Sequence, residues 1–248
     1  MDFKGKTAFV TGGTRGIGLA TAETLAKGGA NVIINYFRSR DAAKQAEEKI
    51  KSYGVECMIH RANIGNMEQL PGIFDAIKEK FGKLDILISN AALGAYGTML
   101  SIDDKAWAIS MDTNAKAFLR CMQLATPMMP ENSRVVVLSS LGSIRYIPGY
   151  ASIGVSKAAI ENIVKYAAVE LAEKKITVNC VSGGFIANDS LKVFPNFEDM
   201  LKDVSARTPW KRVGTAQEMA NVVCFMASQE SSWITGQTVI VDGGYSLI

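Results

Sequence analysis

Short apolar runs rich in Val, Ile and Thr recur along the chain, and a stretch with helical spacing of apolar positions follows most of them. The runs lie at 7–11, 31–35, 56–60, 84–89, 134–139, 177–181 and 238–241. Strands that alternate with helices predict a parallel sheet. Val135-Val136-Val137-Leu138 is apolar without alternation, as expected of a strand whose two faces are both covered by helices. The pattern therefore predicts a doubly wound α/β fold with seven parallel strands. No repeat, low-complexity tract or linker divides it, so residues 1–248 read as a single domain. One region, about 183–214, breaks the rhythm with Pro195, Pro209 and short amphipathic pieces. It reads as an excursion over a ligand crevice rather than another strand–helix unit.

Composition narrows the picture. With 248 residues, 48% of them hydrophobic and 21% charged, the chain can bury one sizeable core without disulfides or metal. Lys plus Arg at 27 against Asp plus Glu at 24 leaves +3, too little for a dedicated nucleic-acid binder. Cys57, Cys121, Cys180 and Cys224 are widely separated, and His60 is the only histidine, so a Cys/His zinc site is not expected and a reducing cytoplasm is. Met1 to Lys6 leads directly into an apolar strand, and no apolar stretch approaches the roughly 18 residues of a membrane span. The expectation is a cytoplasmic protein with neither signal peptide nor membrane anchor.

Thr11-Gly12-Gly13-Thr14-Arg15-Gly16-Ile17-Gly18 follows the first strand and opens a helix expected over 17–27. A dinucleotide pyrophosphate needs small residues there, because it must approach backbone N–H groups at a helix N-terminus whose dipole favours an anion. A glycine-rich turn alone can be only a tight turn; strand before and helix after favour the dinucleotide site of a Rossmann fold. At the end of the second strand, where an NAD site usually carries a carboxylate, the chain reads Asn35-Tyr36-Phe37-Arg38-Ser39-Arg40. Arg38, Ser39 and Arg15 can instead meet a 2′-phosphate through charge-assisted hydrogen bonds, which points to NADPH. Arg40, inside the next helix, reads as surface charge.

These residues resemble the short-chain dehydrogenase/reductase family, and the resemblance covers the whole chain. T-G-x-x-x-G-x-G stands at 11–18, Ser89-Asn90-Ala91-Ala92 resembles N-N-A-G, Asn114 matches the family's helix asparagine, and Thr177-Val178-Asn179 precedes the usual substrate loop. The active-site motif departs from the common form. Four residues before Lys157, where Y-x-x-x-K requires tyrosine, stands Ile153; the phenol in register is Tyr150, giving Y-x6-K. Ala92 replaces the last glycine of N-N-A-G, and Gly183 replaces the usual proline, which is expected to loosen the start of the substrate loop.

On a helix, spacings of four and seven residues both keep the phenol and the lysine on one face, about 40° and about 20° apart. The axial separation grows from about 6 Å to about 10.5 Å if Tyr150 is already helical. Reduction of a ketone places hydride beside the oxygen to be protonated. Reduction of an α,β-unsaturated thioester places it two bonds from the carbonyl carbon, so longer spacing suits conjugate reduction. The spacing resembles that of the enoyl-acyl-carrier-protein reductases, closest to the NADPH-dependent third bacterial type.

The resemblance implies roles residue by residue. Tyr150 would stabilise the enolate and Lys157 would bind the nicotinamide ribose. Ser140, thirteen residues before position 153, would lie near the substrate as catalyst or polar wall. Asn114 would hold a water or simply satisfy backbone groups. Cofactor contacts are expected from Gly12, Thr14, Arg15, Gly16, Ile17, Gly18, Arg38, Ser39, Asn63, Ile64, Asn90, Ala91, Ala92, Lys157, Gly184 and Ile186. Tyr146, Tyr150, Leu191 and Phe194 are expected at the substrate, under a loop from 188 to 212 that closes over the acyl chain and carries basic residues such as Lys202 and Arg207. The implied function is NADPH-dependent reduction of a trans-2-enoyl thioester on acyl carrier protein or coenzyme A, by a homotetramer. A 3-oxoacyl-type carbonyl reductase is the alternative, and a non-catalytic NADP(H)-sensing protein a third reading.

Overall fold

The computed structural model describes residues 1–187 and 197–248, without the side chains at 197 and 200. The expected substrate residues Leu191 and Phe194 lie outside the described residues. Seven parallel strands form one sheet in the order β3-β2-β1-β4-β5-β6-β7. They are β1 (Thr7–Val10), β2 (Asn31–Tyr36), β3 (Cys57–Arg61), β4 (Ile86–Ser89), β5 (Arg134–Ser140), β6 (Thr177–Gly183) and β7 (Thr238–Val241). The helices are α1 (Gly16–Lys27), α2 (Arg40–Lys51), α3 (Leu70–Phe81), α4 (Asp104–Met111), α5 (Ala117–Ala125), α6 (Ala151–Glu170), α7 (Phe197–Arg207) and α8 (Ala216–Met226).

The continuous apolar runs are explained by burial on both faces. Phe9, Leu87, Val135 and Val137 pack with α3, α5 and α6 on one side. Ala8, Val10, Ile86, Ile88, Val136 and Leu138 pack with α1, α2 and α8 on the other. Alternate side chains of one strand thus enter two different cores, and neither face needs polar residues. The strand order reverses between β1 and β4, which opens a crevice at the carboxyl ends of the strands. The turns after β1, β4, β5 and β6 all open there.

Two strands run further than their sequence pattern suggested. Ser140 and Gly183 pair in register, and Gly183 also pairs with Val241, so interstrand bonds extend the ladder beyond the apolar residues. Gly183 is consequently buried in β6 rather than loose, and a Cβ there would stand 3.0 Å from Met219 Cε. This corrects the expectation that losing proline loosens the start of the excursion. The base of the excursion is tied instead by Ala187 N–H to the Gly214 carbonyl (2.8 Å) and Gly214 N–H to the Phe185 carbonyl (2.9 Å). Among the described residues, no helix is long and apolar enough to cross a membrane.

At the opposite end of the sheet, the buried carboxylate of Asp85 accepts the Thr7 N–H at 2.9 Å and lies 3.2 Å from Lys6 Nζ and 2.9 Å from Lys83 Nζ. Asp85→Ala leaves a buried N–H unpaired and two lysines without their shared partner. The expected loss is about 1–3 kcal/mol in urea denaturation with an unchanged denaturant slope; an unchanged midpoint would show that water replaces the carboxylate.

Candidate active site

The turn between β1 and α1 owes its shape to four glycines. Gly12 and Gly16 have φ of 64° and 53°, a left-handed backbone that favours glycine. A Cβ on Gly13 would stand 2.4 Å from Ile34 Cγ2, and one on Gly18 would stand 2.4 Å from the Gly12 carbonyl oxygen. Around Gly16 the space is open. Arg15 caps α1 with extended backbone and no side-chain hydrogen bond, so the first N–H groups of that helix face outward beside Thr14, Gly16 and Ile17. This is a cradle that a phosphate fits and a larger residue would fill.

Three side chains hold the cradle in place. Thr11 Oγ1 accepts the N–H groups of Asn90 and Ala91, each at 2.9 Å. Asn90 Nδ2 donates to the carbonyls of Thr11 (2.9 Å) and Gly12 (3.2 Å). Asn35 Oδ1 accepts the Gly12 N–H at 2.8 Å, while its Nδ2 donates to the Ala62 carbonyl. Asn90 and Ala91, expected at the cofactor, thus stand beside the turn, and Ala92 next to them is exposed. Asn63 is half-buried and Ile64 buried; Asn63 Oδ1 accepts the Gly65 N–H.

At the far end of the crevice Arg15, Arg38 and Ser39 are exposed, and neither arginine has an ion pair among the described residues. Ser39 Oγ caps α2 by accepting the Ala42 N–H. Arg61 at the end of β3 donates through Nε to the Phe37 carbonyl and adds a third cation to this end. Asn35 and Arg61 escaped the sequence reading, since their relevance comes from cross-strand partners. Gly184 and Ile186 line the turn after β6. A Cβ on Gly184 would lie 2.6 Å from Asp242 Cβ, and Ile186 is buried and bridges to Gly214.

Lys157 is 5% exposed, and its Nζ donates to the Leu138 carbonyl at 2.8 Å. Burial lowers its pKa to about 8, against smaller upward contributions from Cys180 and Glu161. Tyr150 is the N-cap of α6, with φ −104° and ψ 18°, not its first helical residue. Its carbonyl accepts the Gly154 N–H at 2.8 Å. The axial estimate for a fully helical Tyr150 therefore does not apply, although the residue stays at the head of the lysine's helix. Its ring covers Gly142, where a Cβ would stand 2.6 Å from Cδ1. Desolvation raises its pKa, and the Ser140 hydroxyl beside it opposes that rise.

Ile153, at the position of the missing tyrosine, is 6% exposed and packs against the turn after β4; a Cβ on Gly94 would stand 2.3 Å from its Cγ1. Asn114 lies in a π-helical turn, Asp112–Lys116, between α4 and α5. Its Oδ1 accepts the Leu93 N–H at 3.0 Å and its Nδ2 donates to Ser156 Oγ at 2.8 Å. The side chain thus ties the loop after β4 to α6. Tyr96 on that loop, absent from the sequence reading, stacks obliquely near Tyr150 with ring centroids 6.3 Å apart. Tyr146 is 83% exposed. It lines a cavity of about 210 Å³ with Leu141, Ile147, Pro148, Phe185 and Tyr245. Arg145 and Arg207 stack on the Tyr245 ring at 5.0 and 5.4 Å. The basic residues of α7 are partly matched by its own carboxylates, Arg207 by Asp203 and Lys202 by Asp199.

Comparison with known proteins bears on this arrangement. Residues 12–246 match the family model described as enoyl-(acyl carrier protein) reductase. The chain is 38% identical over 245 residues to 1-cyclohexenylcarbonyl-CoA reductase of Streptomyces collinus, covering 98% of this chain and 88% of that one. It is 35% identical over 241 residues to 3-oxoacyl-[acyl-carrier-protein] reductase FabG of Staphylococcus epidermidis, covering 96% and 98%. A short-chain dehydrogenase of Burkholderia cenocepacia, solved in complex with NADP, superposes with a TM-score of 0.93 at 29% identity, covering 99% and 100%.

The buried lysine generates a pH dependence of stability. Its folded pKa of about 8 lies below the ordinary 10.5, so unfolding takes up a proton between those values. Its contribution to stability therefore rises from about pH 8 to about pH 10.5, with a slope approaching 1.4 kcal/mol per unit. Relative to Lys157→Met, the wild type should gain stability across that window in denaturant titrations; parallel curves would mean that the ammonium is solvated in the fold.

Proposed function

The chain belongs to the short-chain dehydrogenase/reductase family of oxidoreductases, and from this site we propose that it reduces the C2=C3 double bond of an enoyl thioester with NADPH. The carrier in this reading is acyl carrier protein or coenzyme A, and the setting is cytoplasmic fatty-acid elongation. The observation that carries it is the buried Ile153 where a ketone reductase of this family has its tyrosine, with Tyr150 displaced to the N-cap of α6. The name of the Streptomyces relative agrees, since it describes a ring double bond next to a thioester carbonyl.

NADPH, when bound, supplies hydride. The chain's own groups bind and orient the reactants, and a proton taken up at C2 from solvent completes the reduction. The cradle at Gly12–Gly18 holds the pyrophosphate, and Arg38, Ser39 and Arg15 hold the 2′-phosphate. Lys157 binds the ribose hydroxyls and keeps positive charge beneath the site. The Tyr150 hydroxyl donates to the thioester carbonyl oxygen as charge develops on it, an oxyanion-type contribution of about 2.7–4 kcal/mol. Tyr146, on the surface side of the cavity, contacts the incoming substrate.

A second reading is reduction of a 3-oxoacyl thioester. The staphylococcal relatives favour it by name, and so does the Ser140 hydroxyl beside Tyr150, since two hydroxyls can hold one carbonyl oxygen. The names of the relatives weigh more towards this alternative than towards enoyl reduction. Assembly as a homotetramer is part of the same proposal. Tyr166 and Val169 on α6, and Trp233, Ile240 and Leu247 around β7 and the C-terminus, are exposed large apolar side chains of the kind that contacts between copies cover.

Oxidation of NADPH with crotonyl thioester against acetoacetyl thioester decides between the readings. Enoyl reduction is expected to be faster; the opposite ratio moves the assignment to the carbonyl reductase. Tyr150→Phe should lower turnover of the preferred substrate by roughly 10²–10³ with NADPH binding nearly intact, and full activity would place the donor elsewhere, at Tyr146, Tyr96 or a water. Separately, Arg38→Ala should raise KM for NADPH by roughly tenfold to a hundredfold and that for NADH far less. Equal effects on both cofactors would remove the 2′-phosphate contact.

A further inference from the structure

Glu161 has no part in the roles assigned so far. It lies four residues beyond Lys157 on α6, hence on the same helix face. It is half-buried and makes no ion pair among the described residues. Its Oε1 accepts two hydroxyls: Ser139 Oγ at 2.6 Å and Ser143 Oγ. Those serines bracket the turn that carries Ser140 and Gly142. Ser143 Oγ shares its hydrogen with the Ser140 carbonyl at 2.8 Å, and Ser140 Oγ accepts the Gly142 N–H at 3.3 Å. One carboxylate oxygen thus pins both ends of the turn to the helix of Lys157.

The turn is in turn the seat of the phenol. The Tyr150 ring lies against Gly142, and a Cβ on Gly154 would stand 2.6 Å from the Gly142 carbonyl oxygen, so the first turn of α6 rests on it as well. We propose that Glu161 is a positioning residue that fixes the Ser140–Gly142 turn against α6 and thereby sets Tyr150 and Ser140 relative to Lys157. A carboxylate suits this task because charge-assisted hydrogen bonds are shorter and stronger than those to neutral acceptors. Its charge also reaches the lysine. The titratable groups facing Lys157 are Glu161 on its own helix and Cys180 on β6, and Glu161 acts to raise its pKa.

The proposal rests on the reading of Tyr150 and Lys157 above, and the test separates the two. Glu161→Ala removes both hydrogen bonds, whereas Glu161→Gln keeps an acceptor oxygen and removes the charge. On whichever thioester the wild type reduces, Glu161→Ala should lower kcat by roughly tenfold to a hundredfold, the scale of a small misplacement of reacting groups, with KM for NADPH unchanged. Glu161→Gln should recover most of kcat at neutral pH, with the alkaline limb of its pH profile moved lower. Amide hydrogen exchange of the NADP-bound protein supplies a readout independent of turnover: the 139–150 segment should exchange faster in Glu161→Ala and at the wild-type rate in Glu161→Gln. Unchanged exchange in that segment in Glu161→Ala, or equal kcat losses in both variants that track their melting temperatures, would overturn the proposal. A wild type that reduces neither thioester would instead overturn the functional reading and leave the exchange experiment to judge Glu161.

Discussion

The hydrogen bond from the buried ammonium of Lys157 to the Leu138 carbonyl is the constraint on which the site depends. A buried cation is costly unless its donors are satisfied, and no carboxylate lies within ion-pair distance of this one among the described residues. A strand carbonyl offsets part of the cost, and what remains is expressed as a pKa lowered to about 8. The remaining donors of the ammonium are what a bound ribose can satisfy. That arrangement requires α6 to lie close against the turn after β5, which Gly154 permits, since a Cβ there would stand 2.6 Å from the Gly142 carbonyl oxygen. It also makes the end of β5, residues 138–143, the reference against which Ser140, Tyr150 and the cavity are placed.

The same economy governs the cofactor end of the crevice. Gly13 and Gly18 are required by close approach, Gly12 and Gly16 by backbone conformation. Yet glycine alone would leave the turn free to move. Thr11, Asn35 and Asn90 supply the hydrogen bonds that hold it, from three different strand ends. A phosphate therefore meets N–H groups already held in place, and less ordering remains to oppose binding.

Much of this was legible in the sequence because it rests on local pattern. Seven apolar runs gave seven strands, and the spacing of the glycines gave the turn and the helix after it. The ends of β5 and β6 were less legible, because Ser140 and Gly183 are held in strand by partners on neighbouring strands rather than by their own propensity. Whether Tyr150 is already helical was left open by the sequence, since an N-cap differs from the first helical residue only in backbone angles. No role was assigned from the sequence to Glu161, Asn35 or Tyr96. Each matters through a contact with a residue distant in sequence, as Glu161 does with Ser139 and Ser143, and no single-chain periodicity encodes such a contact.

Displacement of the phenol from position 153 to 150 is not a change confined to two residues. Ile153 lies so close to Gly94 that a methyl group there would stand 2.3 Å from its Cγ1. The loop that contains Gly94 also contains Tyr96, beside the Tyr150 ring, and Gly97, whose N–H donates to the Gly149 carbonyl at 2.8 Å and which bridges to Tyr150. A compact aliphatic residue at 153 lets this loop settle onto α6, and the settled loop in turn walls Tyr150. A tyrosine at 153 would need the volume that the loop now occupies, and moving the loop would unseat the backbone bond before Tyr150. Close packing makes such arrangements alternatives rather than a continuum. With Ile153 in place the loop is seated on α6, and the phenol stands at the N-cap of that helix with its ring against Gly142.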